Sequence, residues 1–413
     1  MQIVILAAGN GSRMLPFTKT RAKGMVPVAN RPLIEHLIIS ARNTGLTEFV
    51  VVTRKGDASI ARHFESGEDF GVSISYCQQG DTPGSASALK SARELLEDHF
   101  LVLNSDMLLD ADDIKTLSQS VCPAIGITQK KDTFEVGIIE EKNGKVARIV
   151  EKPSAPMSDI VNTGAYLLNT PIFSAIDATP LSERGELELT QAIQTQIESG
   201  ATVNTSKLNS WVDVSYPYDL LEANAKIVSQ MHFKVEGVVE ENVRITGGFC
   251  LGSGSIVRSG SYIVGPVIIG ENCDIGPNCY IRASSSIGDN CRIGAGVEIK
   301  NSIVMNDTKI PHLSYIGDSV IGQCCNIGAG SKTANMRFDK GDVFLGEVNS
   351  KRNKMGAIIG DKVQTGVNVS INPGTIIGNN SWIEPACFVQ GTIPDDSIVK
   401  NKCFHEVEVF KRK

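Results

Sequence analysis

From Val239 onward an aliphatic residue recurs at every sixth position: Val239, Ile245, Leu251, Val257, Ile263, Ile269, Ile275, Ile281, Ile287, Ile293 and Ile299. The positions four further on, from Val243 and Phe249 through Cys273, Cys279 and Cys291 to Val297 and Ile303, are mostly small or apolar. Glycine follows the lead residue at Gly252, Gly270, Gly276, Gly288 and Gly294. The pattern is interrupted between Val304 and Ile359, then resumes at Ile359, Thr365, Ile371, Ile377, Ile383 and Val389. An amphipathic helix repeats its apolar stripe about every 3.6 residues, so a sustained period of six excludes one. The spacing predicts a short strand and a turn per hexad, stacked as a solenoid. Each lead residue points inward, and the small residue four on fills the narrow corner.

The first half has a different rhythm. Gln2–Leu6 and Glu48–Thr53 read as strands, and Pro32–Thr44 and Ser85–Leu96 carry helical spacing. Phe100–Leu103 leads as a strand into Asn104-Ser105-Asp106. Such alternation predicts an α/β domain with a largely parallel sheet covered by helices. Ligands of such sheets bind beyond the carboxyl ends of the strands, which singles out the segment after Leu6 and Asp106. The change of period predicts two domains, 1–232 and 233–413.

Composition narrows the class. The chain has 413 residues, with 40 Lys and Arg against 46 Asp and Glu, a net charge of −6. That balance disfavours a protein that coats nucleic acid, while a local basic pocket for phosphates stays open. No apolar run approaches the ~18 residues of a membrane span. The start, MQIVILAAG, lacks the basic region of a signal peptide, so a cytoplasmic setting is expected. Ten cysteines include no C-x-x-C pair. Cys273, Cys279 and Cys291 fall on solenoid corners and read as small core fillers.

Candidate chemistry begins in Leu6–Val28, LAAGNGSRMLPFTKTRAKGMVPV. Gly9 and Gly11 follow a strand, so the backbone can approach a ligand closely, and Arg13 and Lys23 bring two cations to the same loop. Met14 stands where a dinucleotide fingerprint needs its third glycine, and no G-x-x-x-x-G-K-[ST] string occurs. What remains suits a triphosphate. The whole string resembles the signature of sugar-1-phosphate nucleotidylyltransferases. Similarity to that family extends through Gln79, Gly84-Ser85-Ala86, Asn104-Ser105-Asp106, Val136-Gly137-Ile138, Glu151-Lys152-Pro153, Asn162-Thr163-Gly164 and Trp211-Val212-Asp213-Val214.

The resemblance implies a Rossmann-like mixed sheet and in-line attack of a sugar 1-phosphate on a nucleoside triphosphate, UTP or dTTP. Leu6, Ala8, Gly9, Gly11, Gln79, Gly84 and Ser85 would hold the nucleotide. Arg13 and Lys23 would act on the phosphates, and Asp106 and Asp213 would bind Mg²⁺. Gly137, Glu151, Lys152 and Asn162 would hold the sugar phosphate. Two departures stand out. Ala22 and Gly24 replace prolines usual in the family, which predicts a lysine loop less fixed in φ.

The interruption contains HLSYIGDSVIGQCCNIGAGSKTANMRFD, from His312 to Asp339. Arg282 and Lys300 each follow a lead isoleucine, 18 residues apart, so three hexads per coil stack them on adjacent coils ~4.8 Å apart. Two cations so close call for an anion between them. The string resembles the acetyltransferase half of bifunctional glucosamine-1-phosphate acetyltransferase/uridylyltransferases. The solenoid is similar to the left-handed parallel β-helix of hexapeptide-repeat acyltransferases, a hand that runs against the usual crossover rule. His312 would then be the general base of acetyl transfer from acetyl-CoA. Arg282, Lys300, Tyr315, Asn326 and Asn335 would hold the aminosugar phosphate, and the Ala329 amide the acetyl carbonyl. Asn335-Met336-Arg337-Phe338 departs from the bacterial string and resembles archaeal members, leaving Lys340 as the nearest candidate for a further lysine contact.

The chain is thus expected to acetylate glucosamine or galactosamine 1-phosphate and then to attach UMP. A homotrimer or a multiple of one is expected, with no nucleic-acid or membrane partner. Two rivals compete: a glucose-1-phosphate thymidylyl- or uridylyltransferase whose solenoid is purely structural, and a non-catalytic regulatory relative.

Overall fold

The computed structural model describes residues 1–130, 133, 136–153 and 158–402. The last eleven residues of the second domain as read from the sequence, Cys403 among them, lie outside the described residues. The chain divides into two compact units. One comprises Met1–Met14, Thr18–Pro27 and Arg31–Ser215; the other comprises Leu15–Phe17, Val28–Asn30 and the chain from Tyr216 onward. The packing therefore divides after Ser215, ahead of the 232/233 boundary at which the period changes. The helix Asp219–Gln230 carries no hexad signal, yet it belongs to the second unit. Its Asn224, fully buried, donates to the carbonyl of Ser284 at 2.8 Å.

The first unit is built on a nine-stranded mixed sheet. Its order is Ser73–Gln78, Glu48–Thr53, Gln2–Ala7, His99–Asn104, Ile160–Asn169, Ala124–Gln129, Asn204–Lys207, Lys145–Val150 and Ile138–Lys142. The first four strands are parallel; Ile160–Asn169 then runs antiparallel to both of its neighbours. Alternation within single strands explains the layers. Ile3 and Ile5 enter one buried cluster with Ile34, Leu37, Ile38, Ile114 and Leu117, whereas Val4 and Leu6 enter another with Leu89, Phe173 and Ile193. A strand buried on both faces has no polar side, which is why Gln2–Leu6 reads as a continuous apolar run. The helix at Pro32–Thr44 spans Leu33–Arg42. The one at Ser85–Leu96 is α-helical only over Ser85–Ser91 and continues as a 3₁₀ turn over Arg93–Leu95, Ser91 Oγ donating back to the Ser87 carbonyl at 3.1 Å. Such back-bonding competes with the helical ladder.

The second unit stacks short strands into long parallel sheets in which each strand pairs one coil further along. Ile263 pairs with Ile281 and Ile281 with Ile299, the 18-residue step of three hexads. Leu251 through Ile299 are at most 1% exposed along the hexad positions, and Cys273, Cys279 and Cys291 lie in the same core. Val239 and Ile245, expected to point inward, are instead 37% and 36% exposed. They sit on the first coil, whose strands have a partner on one side only.

The interruption from Val304 to Ile359 is also shorter than the sequence pattern implies. Ile287 pairs with Val304, Ile293 with Ile310, Ile299 with Ile316 and Val304 with Ile321, a step of seventeen residues. The coils continue; losing one residue per coil merely breaks a strict count of six. The chain leaves the stack after Asn335 and returns at Met355, whose N–H donates to the Asn335 carbonyl at 2.9 Å. Between them lies the hairpin Phe344–Leu345 with Val348–Asn349. Among the described residues no helix is long and apolar enough to cross a membrane.

This core assignment is testable by substitution. Ile275→Ala should destabilise the second unit by about 2–5 kcal/mol, the usual effect of emptying a buried aliphatic site. Val239→Ala should change it by no more than about 0.5 kcal/mol. Calorimetric unfolding of the full chain reads both.

Candidate active sites

Two adjoining cavities open at the carboxyl ends of strands Gln2–Ala7 and His99–Asn104. The first, about 550 Å³, is lined by Leu6, Ala8, Gly9, Gly11, Lys23, Gln79, Gly84, Ser85 and Asp106, among others. The second, about 440 Å³, is lined by Arg13, Gly137, Glu151, Lys152, Asn162 and Asp213, with Gly9, Gly11, Lys23, Ser85 and Asp106 forming a shared wall. Every first-unit site residue expected from the sequence therefore faces one chamber or the other.

The glycine loop is open where a ligand would need it. A side chain at Gly9 would meet nothing within 4 Å, whereas Gly11 has φ +62 and packs against Thr18. Gly84, at φ +116, leaves only 2.2 Å between an added Cβ and the Leu187 carbonyl, so glycine is obligatory there. Gln79 donates from Nε2 to the carbonyls of Thr82 and Gly84 at 2.9 and 3.1 Å, bracing the rim of the first chamber. Ala22 holds φ −60 and ψ 150, values open to a proline, and the turn is closed by Met25 N–H to Ala22 and Val26 N–H to Lys23. The Lys23 turn is hydrogen-bonded in this way with no proline ring to hold φ at Ala22 or Gly24.

Asp106 and Asp213 are brought together by a two-residue antiparallel ladder, Met107 opposite Asp213 and Leu108 opposite Val212. Val214 N–H donates to the Asp106 carbonyl at 2.9 Å. Lys23 Nζ lies 2.6 Å from Asp106 Oδ2, and Ser215 Oγ donates to Asp213 at 3.0 Å. Burial pushes the Asp213 carboxyl above the usual carboxylate range; the charge of Asp106 adds to the rise, and Lys23 and Lys130 oppose it. Both carboxylates offer only oxygen donors, and their mutual repulsion fits a hard dication. Among the described residues no group of three or more His, Cys, Asp or Glu side chains could hold a metal. A metal here would draw its remaining ligands from substrate and solvent.

In the second chamber Asn162 Nδ2 donates to Tyr166 Oη at 2.7 Å, and its Oδ1 accepts from Gly164 N–H at 3.0 Å. Burial raises the Glu151 carboxyl above its ordinary range, Lys152 opposing, Glu188 reinforcing and Arg184 opposing. Arg184 and Glu188 were missed by sequence reasoning. Arg184 Nη2 sits 2.8 Å from Glu188 and 3.9 Å from Glu151, so it stands between two carboxylates at the sugar end. The string Arg184-Gly185-Glu186-Leu187-Glu188 has neither helical nor strand period, which left it silent. Trp211, whose buried indole N–H has no partner among the described residues, lines the same chamber.

In the second unit the ladder sets Arg282 beside Lys300 on adjacent coils, as the 18-residue spacing implies. The cations are not left to repel each other. Arg282 pairs with Glu298 at 2.9 Å, and Lys300 pairs with Asp318 at 2.8 Å. Asp318 also accepts from Asn335 Nδ2, which lies 3.3 Å from Tyr315 Oη. Burial, then Asp318 and Glu298, raise the Tyr315 hydroxyl above its ordinary value. Arg282 further stacks over Tyr280 at 5.5 Å. His312 ends the strand Lys309–His312, exposed, with no side-chain hydrogen bond among the described residues. Asn326 bridges the coils between Lys309 and Gln364, and Ala329 accepts from Asn368 N–H at 2.7 Å. Lys340 stands apart, exposed on the excursion and without an ion pair among the described residues.

The Glu151 environment makes a pH-dependent prediction. A carboxyl whose folded pKa is raised favours the fold below its unfolded pKa, about 4.3, and loses that contribution as pH rises through the folded value. Glu151→Gln should therefore raise Tm at pH 7.5, by roughly 2–4 °C for each kcal/mol relieved, with the gain vanishing near pH 4. Thermal melts at both pH values check it.

Comparison with known proteins shows the family. The nucleotidyl transferase family model matches residues 2–230, and the GMPPB C-terminal domain model matches residues 263–365. The bifunctional protein GlmU of Methanocaldococcus jannaschii is 37% identical over 404 residues, 97% of each chain. That of Methanococcus maripaludis is 41% identical over 410 residues, 97% of this chain and 98% of that one. The bifunctional sugar-1-phosphate nucleotidylyltransferase/acetyltransferase of Sulfurisphaera tokodaii is 36% identical over 94% of this chain and 97% of its own. A crystallised glucose-1-phosphate thymidylyltransferase from Bacillus anthracis superposes with a TM-score of 0.51 at 28% identity, over 57% of this chain and 97% of that one. With full-length relatives at this identity and two sets of site residues in separate compact units, the chain belongs to the family of archaeal bifunctional sugar-1-phosphate nucleotidylyltransferase/acetyltransferases.

Proposed function

We propose that the chain makes a UDP-N-acetylhexosamine in two steps: acetyl-CoA-dependent N-acetylation of glucosamine 1-phosphate, then uridylyl transfer from UTP to the product with release of pyrophosphate. The observation that carries the reading is the pair of chambers divided by Gly9, Lys23 and Asp106. A nucleotide and a hexose phosphate fit on either side of one cationic wall, where their phosphates must meet.

In the nucleotidyl step no protein nucleophile is needed, because the work is alignment and charge neutralisation. Arg13 holds the leaving phosphates, and Lys23 leaves Asp106 for the α-phosphate. Asp106 and Asp213 hold Mg²⁺, which when bound supplies positive charge to the phosphates. Asn162 and Glu151 orient sugar hydroxyls, with Lys152 and Arg184 near the sugar phosphate. In the acetyl step the unpartnered His312 imidazole takes a proton from the attacking amine. Arg282 and Lys300 keep donors free beyond their carboxylate partners and receive the phosphate. The coils are taken to wind left-handed and the chain to form a homotrimer, as the resemblance to hexapeptide-repeat acyltransferases implies.

A matrix of hexose and aminohexose 1-phosphates against four nucleoside triphosphates, with and without acetyl-CoA, tests the reading. Thiol release with glucosamine 1-phosphate and pyrophosphate release with UTP and N-acetylglucosamine 1-phosphate are expected. No thiol release from any aminosugar phosphate would reduce the solenoid to a scaffold. Lys23→Ala should lower kcat for pyrophosphate release by ~10²–10³ and leave thiol release intact. His312→Ala should do the reverse, lowering acetyl transfer by ~10²–10⁴.

A further inference from the structure

We propose that Asp318 is the positioning residue of the acetyl-transfer site, holding Lys300 and Asn335 in the geometry that receives the aminosugar phosphate. The inference rests on the acetyltransferase reading above and goes beyond it, because Asp318 itself would touch no substrate.

The side chain sits at a solenoid turn with φ +47. Other non-glycine residues at left-handed positions of the stack are of several types, among them Asn272, Asn278, Asn290, Asp307, Lys362, Ala386 and Asp396, with φ between +53 and +61, and these are exposed. A left-handed turn alone is therefore served by a solvated side chain, charged or neutral. Asp318 differs in its burial, being 3% exposed while carrying a charge.

Both of its oxygens are engaged. Oδ2 accepts from Lys300 Nζ at 2.8 Å and from Asn335 Nδ2, while Oδ1 accepts from Asn301 Nδ2 at 2.7 Å. An asparagine in its place would turn an NH₂ group toward one or other of these donors. The partners come from different parts of the chain. Lys300 lies on the coil before Asp318, and Asn335 is the last residue before the excursion that ends at Met355. One buried carboxylate thus ties a cation of the stack to the departure point of the excursion, and Asn335 carries the link on to Tyr315 Oη. A buried charge of this kind persists only when it is paired and hydrogen-bonded, so Asp318 and its donors fix one another.

The test measures thiol release by the full-length chain for wild type, Asp318→Asn, Lys300→Met and the double variant, with pyrophosphate release as the internal control. Asp318→Asn should raise KM for glucosamine 1-phosphate by roughly 10- to 100-fold, with a much smaller change in kcat and no change in pyrophosphate release. The KM effects of the two single variants should combine to clearly less than their product in the double variant, because the Lys300–Asp318 contact is lost in both and only the Asn335 contact is lost with Asp318 alone. Should Asp318→Asn fail to fold, Asn301→Gly, which keeps the left-handed backbone at φ +44, removes the brace on Oδ1 and should still raise KM by about 3-fold or more. An unchanged KM in the folded variant, or effects that multiply in the double variant, would overturn the assignment while leaving the acetyltransferase reading intact. A wild-type chain without thiol release would overturn both.

Discussion

Backbone hydrogen bonds between neighbouring strands hold chains about 4.8 Å apart and fix which residue faces which. Both candidate sites follow from that constraint. In the solenoid, Ile281 opposite Ile299 and Ile299 opposite Ile316 carry Arg282, Lys300 and Tyr315 outward on successive coils while the isoleucines stay inside. In the first unit, the short ladder of Met107 and Leu108 with Val212 and Asp213 brings together two carboxylates from distant parts of the chain. A slip of one residue in either place would turn every one of these side chains to the opposite face, so the buried aliphatic pattern and the site chemistry are specified together.

Once register has placed charges this close, electrostatics must balance them. Lys23 sits on Asp106, Arg184 on Glu188, Arg282 on Glu298 and Lys300 on Asp318. Bare clusters of like charge would repel and would lose hydration on burial, and each of these four cations is held by a carboxylate. The pairing fixes side-chain geometry ahead of binding, which favours alignment of two polyanions over simple attraction. Charge is thus organised locally, and the chain's overall acidity says nothing of these pockets.

In the first unit, Ala22 lies at φ −60 and ψ 150, values a proline would also hold, and its turn carries two backbone hydrogen bonds. Those bonds use the Ala22 and Lys23 carbonyls as acceptors, so they are separate from the constraint on φ that a proline ring would add.

Much of this molecule was legible in the chain itself. A six-residue aliphatic period admits few packings, since only a stack of short strands buries every sixth residue. Apolar strands followed by Gly9, Gly11 and Asp106 mark sheet ends where a ligand binds, and the further first-unit residues that the family resemblance implied line the same two chambers. Tertiary structure decided what periodicity cannot carry. It kept the coils running through Val304 and Ile316 although a one-residue shortening broke the count, and it exposed Val239 and Ile245 because an end coil has no neighbour to cover it. It also supplied the counter-charges. Asp318 and Glu298 act through partners on neighbouring coils, and Arg184 joins its local partner Glu188 to Glu151 on another segment; the distance between the non-local side chains is set by folding, not by their separation in sequence.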